Sequence, residues 1–60
     1  MNFEEKLTEM TNMLKDTITD GIKFDKGNKA AGTRIRKAMQ DLKTMAQEVR
    51  VAVQAMKNNA

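Results

Sequence analysis

The second half of the chain carries a seven-residue repeat of apolar side chains. Between Asn28 and Lys57, apolar residues return at alternating steps of four and three, which predicts a helix that buries one stripe against another helix. The members of this stripe are Ala31, Ile35, Ala38, Leu42, Met45, Val49, Ala52 and Met56. A further apolar column beside the stripe consists of Met39, Ala46 and Val53. A helix of this kind needs a packing partner.

The first half repeats the pattern more weakly. Its stripe consists of Phe3, Leu7, Met10, Leu14, Thr17, Gly21 and Phe24. Asn2 and Glu5 have the spacing of a capping box, and Gly27 followed by Asn28 is typical of one helix ending and another beginning. The sequence therefore predicts an all-α fold: an antiparallel helical hairpin, with helices at about residues 3–25 and 29–57, in a single domain covering residues 1–60.

The two stripes also predict a register. If the turn is centred near residues 27 and 28, facing residues have numbers that add to 55 or 56, as in Met10 with Met45 or Leu14 with Leu42. An extended coiled coil, in which each helix meets a different partner, is the alternative.

A chain of 60 residues is near the lower limit for a stable lone domain, and it has no cysteine to cross-link it. The hairpin would also leave apolar residues without a partner. We therefore expect a homodimer that forms a four-helix bundle or coiled coil, or a higher assembly. The predicted oligomer interface consists of Met13, Ile18, Ile22, Met39, Ala46 and Val53.

Charge is distributed unevenly along the chain. Residues 1–25 have six acids and three lysines, whereas residues 26–60 have eight bases and two acids. Most bases of the predicted second helix lack a carboxylate three or four residues away, so helical pairing does not neutralise them. One column, which we call the basic column, repeats every seven residues: Lys29, Arg36, Lys43, Arg50 and Lys57.

Further bases cluster where the second helix begins, a position at which free amides and the helix dipole favour phosphate. The basic residues predicted to contact the phosphates of double-stranded DNA are Lys26, Lys29, Arg34, Arg36, Lys37, Lys43 and Arg50. The alternative is a solvated face, or pairing with acids of the first helix such as Glu9 or Asp16, of the same chain or of a second one. Gly32 fits either close approach of a phosphate or close helix packing near the turn.

Other functional classes have little support. The chain has no histidine, cysteine, tyrosine or tryptophan and no phosphate-loop motif, so we expect no catalytic residues, no metal or cofactor and no small-molecule substrate. Charges interrupt every apolar run, and we expect a cytoplasmic protein without a membrane partner. DNA binding and a self-assembling helical module with a protein partner remain as the two candidates.

The run KGNKAAGTRIRKAMQDLKTMAQEVR, residues 26–50, resembles the bacterial linker-histone-like nucleoid proteins of the chlamydial type. The most specific part is KGNKAAGTRIRK. The resemblance implies a DNA-binding role in chromosome condensation within the nucleoid, with its basic positions at Lys26, Lys29, Arg34, Arg36 and Lys37. Chlamydial members continue into a lysine-rich tail, whereas this sequence ends at Asn58, Asn59 and Ala60. For a chain without that tail, the resemblance implies mainly an assembly or bridging module.

Overall fold

The computed structural model describes residues 1–59 and consists of two helices packed against each other. Helix α1 spans Phe3–Asp25 and helix α2 spans Lys29–Asn58. The predicted all-α hairpin is confirmed, and the predicted bounds differ only at the end of α2. The single-domain organisation and the assembly into a four-helix bundle stay predictions.

Both helices begin at an asparagine cap. The Asn2 side-chain oxygen accepts a hydrogen bond from the Glu5 amide at 3.0 Å, and that of Asn28 accepts one from the Ala31 amide at 3.2 Å. Each bond satisfies an amide that the first helical turn leaves unpaired. The two caps therefore fix where α1 and α2 start.

A glycine closes α1 and lets the chain reverse. Gly27 has a φ of 99°, which favours glycine because a Cβ atom would be strained there. Its amide donates to the Phe24 carbonyl at 2.9 Å, and the Asn28 amide donates to the Lys23 carbonyl at 3.0 Å. These two bonds form a Schellman motif. Since Asn28 also caps α2, the turn is short enough to place the helices side by side.

Contacts between the helices test the register. Lys6 Nζ lies 3.6 Å from Glu48 Oε2, and Arg34 Nε lies 2.9 Å from Asp20 Oδ1. The residue numbers of each pair add to 54, close to the predicted 55 or 56. The antiparallel register is therefore correct to within about one residue per helix.

The predicted stripe of α1 is wrong at Leu7 and Leu14, and its last member, Phe24, is 50% exposed. Leu7 is 51% exposed and Leu14 is 48% exposed, whereas the residue before each of them, Lys6 and Met13, is partly buried. At this inner position the Lys6 ammonium group lies near Glu48 on α2. The surface of α1 that faces α2 is thus rotated from the predicted stripe.

The hairpin has a very small core. Within residues 1–59, only Ala31 and Met45 are buried. The molecule measures 50 × 16 × 12 Å, and its accessible surface is 4891 Å², against about 4,000 Å² for a typical folded monomer of this mass. An excess of about 900 Å² is similar to what one partner buries in a standard protein interface, about 800 Å².

Candidate nucleic-acid interface

The basic column lies on the outer side of α2. At about 100° per residue, Arg36 and Lys43 are roughly half a turn away from Met45, which faces α1. All five members of the column are exposed. Successive members are about 10.5 Å apart along the helix, and the column spans about 42 Å. It is a straight row of cations that points away from the rest of the hairpin.

Within residues 1–59, four cations of this row form no salt bridge. Among residues 1–59, no carboxylate lies within 4.0 Å of the charged nitrogens of Lys29, Arg36, Lys43 or Arg50. Glu9 and Asp16, which were considered as partners from α1, do not reach them: Glu9 lies 3.8 Å from Lys6 instead. The positive charge of the row is therefore available to an external anion.

Three predicted site residues lie apart from the row. Arg34 Nε donates a hydrogen bond to Asp20 of α1, and Lys37 Nζ is 3.7 Å from Asp41 on its own helix. Arg34 therefore joins the two helices, and Lys37 is partly neutralised by its neighbour. Lys26 is exposed in the turn. The sequence analysis did not single out the Arg34 ion pair, because Asp20 lies 14 residues earlier in the chain and reaches Arg34 only across the helix contact.

Gly32 is explained by packing. A Cβ atom at this position would lie 2.5 Å from the Phe24 ring, closer than real Cβ atoms approach other atoms. The ring of Phe24 thus occupies the space beside the first turn of α2. Of the two explanations considered for Gly32, close helix packing near the turn is the one that the structure supports.

The hairpin also presents one apolar side. In a helix, the residue that follows an inward-facing residue points about 100° to one side of the contact between the helices. Because the two right-handed helices run in opposite directions, these following residues lie on the same side of the hairpin in both helices. We call this side the apolar face, and its members are Leu7, Leu14, Ile18, Ile22, Met39, Ala46 and Val53. Ile18 is 62% exposed.

The apolar face differs from the predicted oligomer interface at three residues. Met13 is partly buried between the helices, and it precedes Leu14 by one position, so it does not share a side with Ile18 and Ile22. Leu7 and Leu14 join the face instead. The rotated stripe replaces Leu7 and Leu14 by Lys6 and Met13, so the apolar pattern alone does not point to it.

The opposite side of the seam is polar. Lys6 and Asp20 on α1 pair there with Glu48 and Arg34 on α2. We call these four residues the polar edge. The polar edge therefore has its charged groups paired within the chain, whereas the apolar face exposes large apolar side chains to water.

Among residues 1–59, neither helix has the length and apolar character needed to cross a membrane. The family model described as histone H1-like protein Hc1 matches residues 4–59, which covers nearly the whole chain. No curated protein and no solved structure matches the chain significantly.

Proposed function

The chain belongs to the histone H1-like protein Hc1 family, and on that premise we propose that it is a non-sequence-specific DNA-binding protein of the nucleoid that acts as an oligomer. The observation that carries the proposal is the basic column, a row of exposed cations without acidic partners among residues 1–59. Four of its residues belong to the predicted DNA site: Lys29, Arg36, Lys43 and Arg50.

The dimensions of the column suit a duplex. Its length of about 42 Å equals the rise of about twelve base pairs at 3.4 Å each. Laid along the duplex axis, a straight row of lysine and arginine side chains can contact phosphates where it crosses the DNA strands on one side of the duplex. Such contacts position a protein on DNA but do not read its sequence.

Nothing in the column adds base recognition by stacking. Both aromatic residues lie on α1, and Phe24 packs against Gly32. Single-stranded nucleic acid is usually bound through aromatic platforms. Phosphate contact with a duplex is therefore the mode that these residues favour, and binding should depend strongly on salt.

Oligomerisation is supported by the small core and the excess surface. A chain with two buried residues gains little from hydrophobic burial. Covering the apolar face with a second copy would supply the missing burial. An oligomer would also place several basic columns on one particle and so increase the avidity for DNA.

A charge-matched pair of variants tests the DNA site. Lys43→Gln/Arg50→Gln removes two charges from the column, and Lys15→Gln/Lys23→Gln removes two exposed charges from α1. Affinity for a duplex of 24 base pairs is measured by fluorescence anisotropy at several salt concentrations. Five phosphate contacts give a slope of log K against log salt of about −4.5 per chain.

We expect the column variant to lower the magnitude of this slope by about 1.8, and the α1 variant to leave it nearly unchanged. An equal effect of both variants would mean that only net charge matters and that the column is not the site. Absence of duplex binding by the unmodified chain would favour the alternative function, a self-assembling module with a protein partner.

A further inference from the structure

Resting on the DNA-binding function above, we propose that two copies pack apolar face to apolar face with α1 of each copy against α2 of the other, so that the dimer holds two separate duplexes on opposite sides. The occupant of the apolar face is a second copy of this chain. The excess surface of about 900 Å² is near the area that one partner contributes to a standard interface.

Two-fold symmetry allows two arrangements in which the apolar face of one copy packs against the apolar face of the other. A two-fold axis parallel to the helices places each α1 beside α2 of the other copy, and both turns lie at the same end of the bundle. A two-fold axis across the helices places α1 beside α1 and α2 beside α2, and the turns lie at opposite ends. In both arrangements neighbouring helices are antiparallel.

Charge separates the two arrangements. Helix α1 has six acids and three lysines, a net charge of −3, and helix α2 has seven bases and two acids, a net charge of +5. Packed helices lie 8–10 Å apart, which is within a Debye length at moderate salt. The parallel axis therefore places helices of opposite net charge side by side. The crosswise axis places the two positively charged α2 helices side by side, where they repel each other.

Individual residues agree with the net charges. The seven-residue spacing of the basic column is symmetric about Lys43, so a crosswise axis near the middle of α2 would bring Lys43 beside its own copy and Arg36 beside Arg50 of the second copy. With the parallel axis, the hairpin register instead brings Glu4 to the level of Arg50 of the second copy. Only the parallel axis pairs an acid with a base at this edge. It leaves Arg36 and Lys43 of the column level with Ile18 and Thr11, so these two cations keep their charge for phosphate.

The parallel axis has a consequence for DNA. Each basic column lies on the outer side of its α2, and the two α2 helices occupy diagonal corners of the bundle. The columns therefore point in opposite directions from a body about 20 Å wide. One duplex can bind on each side, so the dimer bridges DNA. The crosswise axis would place both columns on one side and coat a single duplex.

The arrangement can be measured without DNA. Because the chain has no cysteine, Asp25→Cys introduces a single labelling site at the end of α1, outside the basic column. The distance between spin labels in the dimer is then read by pulsed electron paramagnetic resonance. We expect under about 20 Å, because both turns lie at one end; about 40 Å would indicate the crosswise axis and overturn the proposal.

Bridging is tested by capture of a fluorescent duplex on beads that carry a second, unlabelled duplex, with anisotropy measured in parallel. The unmodified chain should capture the fluorescent duplex. Ile18→Asp puts a charge on the apolar face and should lower the amount of captured duplex at least tenfold, while duplex binding measured by anisotropy persists. Its control, Thr19→Asp, adds the same charge at an exposed neighbouring position and should capture normally.

The outcomes distinguish the two proposals. Duplex binding without capture, or capture that Ile18→Asp leaves intact, would overturn bridging by this dimer and leave DNA binding standing. A short label distance without any duplex binding would support the dimer arrangement and overturn the DNA-binding function, and with it the bridging. A monomer by sedimentation at micromolar concentrations would overturn the dimer.

Discussion

The two sides of the helix seam differ in how far one chain satisfies them. On the polar edge, Asp20 is 21% exposed and receives the Arg34 guanidinium at 2.9 Å, so its charge is paired within the hairpin. On the apolar face, Ile18 and Val53 remain in water. The ion pairs of the polar edge thus hold the two helices of a single chain in register, whereas the apolar face stays uncovered in a single chain. Stability and assembly should depend on different sides of the same seam.

The largest expected loss of stability comes from substitution of the few residues that are buried between α1 and α2. Met45→Asp would place a charge where the native side chain is 8% exposed, at a cost of several kcal/mol. A 60-residue domain has about 3–9 kcal/mol of stability in total. We expect loss of the helical circular dichroism signal at 25 °C.

Thr44→Asp is the matched control, because it adds the same charge at the preceding, exposed position. It should keep its helical signal. If Met45→Asp stays as helical as this control, then the contact between α1 and α2 is not the core of the folded state.

The next effect concerns assembly and separates the apolar face from the rest of the surface. Val53→Asp lies on the face, and Val51→Asp lies two residues earlier at a side chain that is 57% exposed. For a folded dimer, melting temperature rises with protein concentration, by about 5 °C per tenfold. We expect Val53→Asp to remove this dependence and Val51→Asp to keep it, as measured by thermal melts at three concentrations. Equal behaviour of the two variants would place the interface elsewhere.

A smaller effect is expected at the polar edge. Arg34→Gln leaves Asp20 without its ion pair and should lower the free energy of unfolding by about 1 kcal/mol, since the pair is only partly shielded from solvent. Arg36→Gln should leave stability nearly unchanged but weaken duplex binding, because Arg36 is exposed and has no acidic partner among residues 1–59.

Urea titrations and duplex-binding curves of both arginine variants measure this difference. A double-mutant cycle with Asp20→Asn should give a coupling energy of about 0.5–1 kcal/mol. No coupling would mean that the ion pair does not stabilise the hairpin in solution.

The smallest effect distinguishes two helical glycines. Apart from the adjacent residues and the backbone of its own helix, a Cβ atom at Gly21 would have no atom within 4 Å among residues 1–59, whereas at Gly32 it would meet the Phe24 ring. Gly21→Ala should therefore stabilise the hairpin by about 0.5–1 kcal/mol through helix propensity. At Gly32 the same gain is offset because the ring must move. Thermal melts in which both variants gain equally would contradict the packing of Phe24.

The outline of the hairpin could be read from local signals. Asn2, Gly27 and Asn28 each act through hydrogen bonds to residues at most five positions away, so the sequence was enough to place the helix ends. The basic column was equally predictable, since a seven-residue spacing on one helix defines a line without reference to any other element. The family resemblance seen in residues 26–50 is confirmed by the match over residues 4–59.

The rotation of α1 about its axis was not predictable in this way. The apolar pattern favours a stripe through Leu7 and Leu14, because the column that faces α2 instead consists of Lys6, Met13 and Asp20, two of which are charged. Lys6 and Asp20 nevertheless face inward, where each lies within salt-bridge distance of an opposite charge on α2. Those partners are 42 and 14 residues away along the chain, so only the folded hairpin brings them together.

The sequence by itself thus determined two helices, their ends, their antiparallel register and the line of cations, because each follows from spacing along one helix or across one short turn. The tertiary structure alone decided which side of α1 faces α2, and hence that the unpaired apolar residues of both helices share one face. The physical reason is that rotation of a helix depends on contacts between residues far apart in the chain, where ion pairs and apolar burial compete for the same seam.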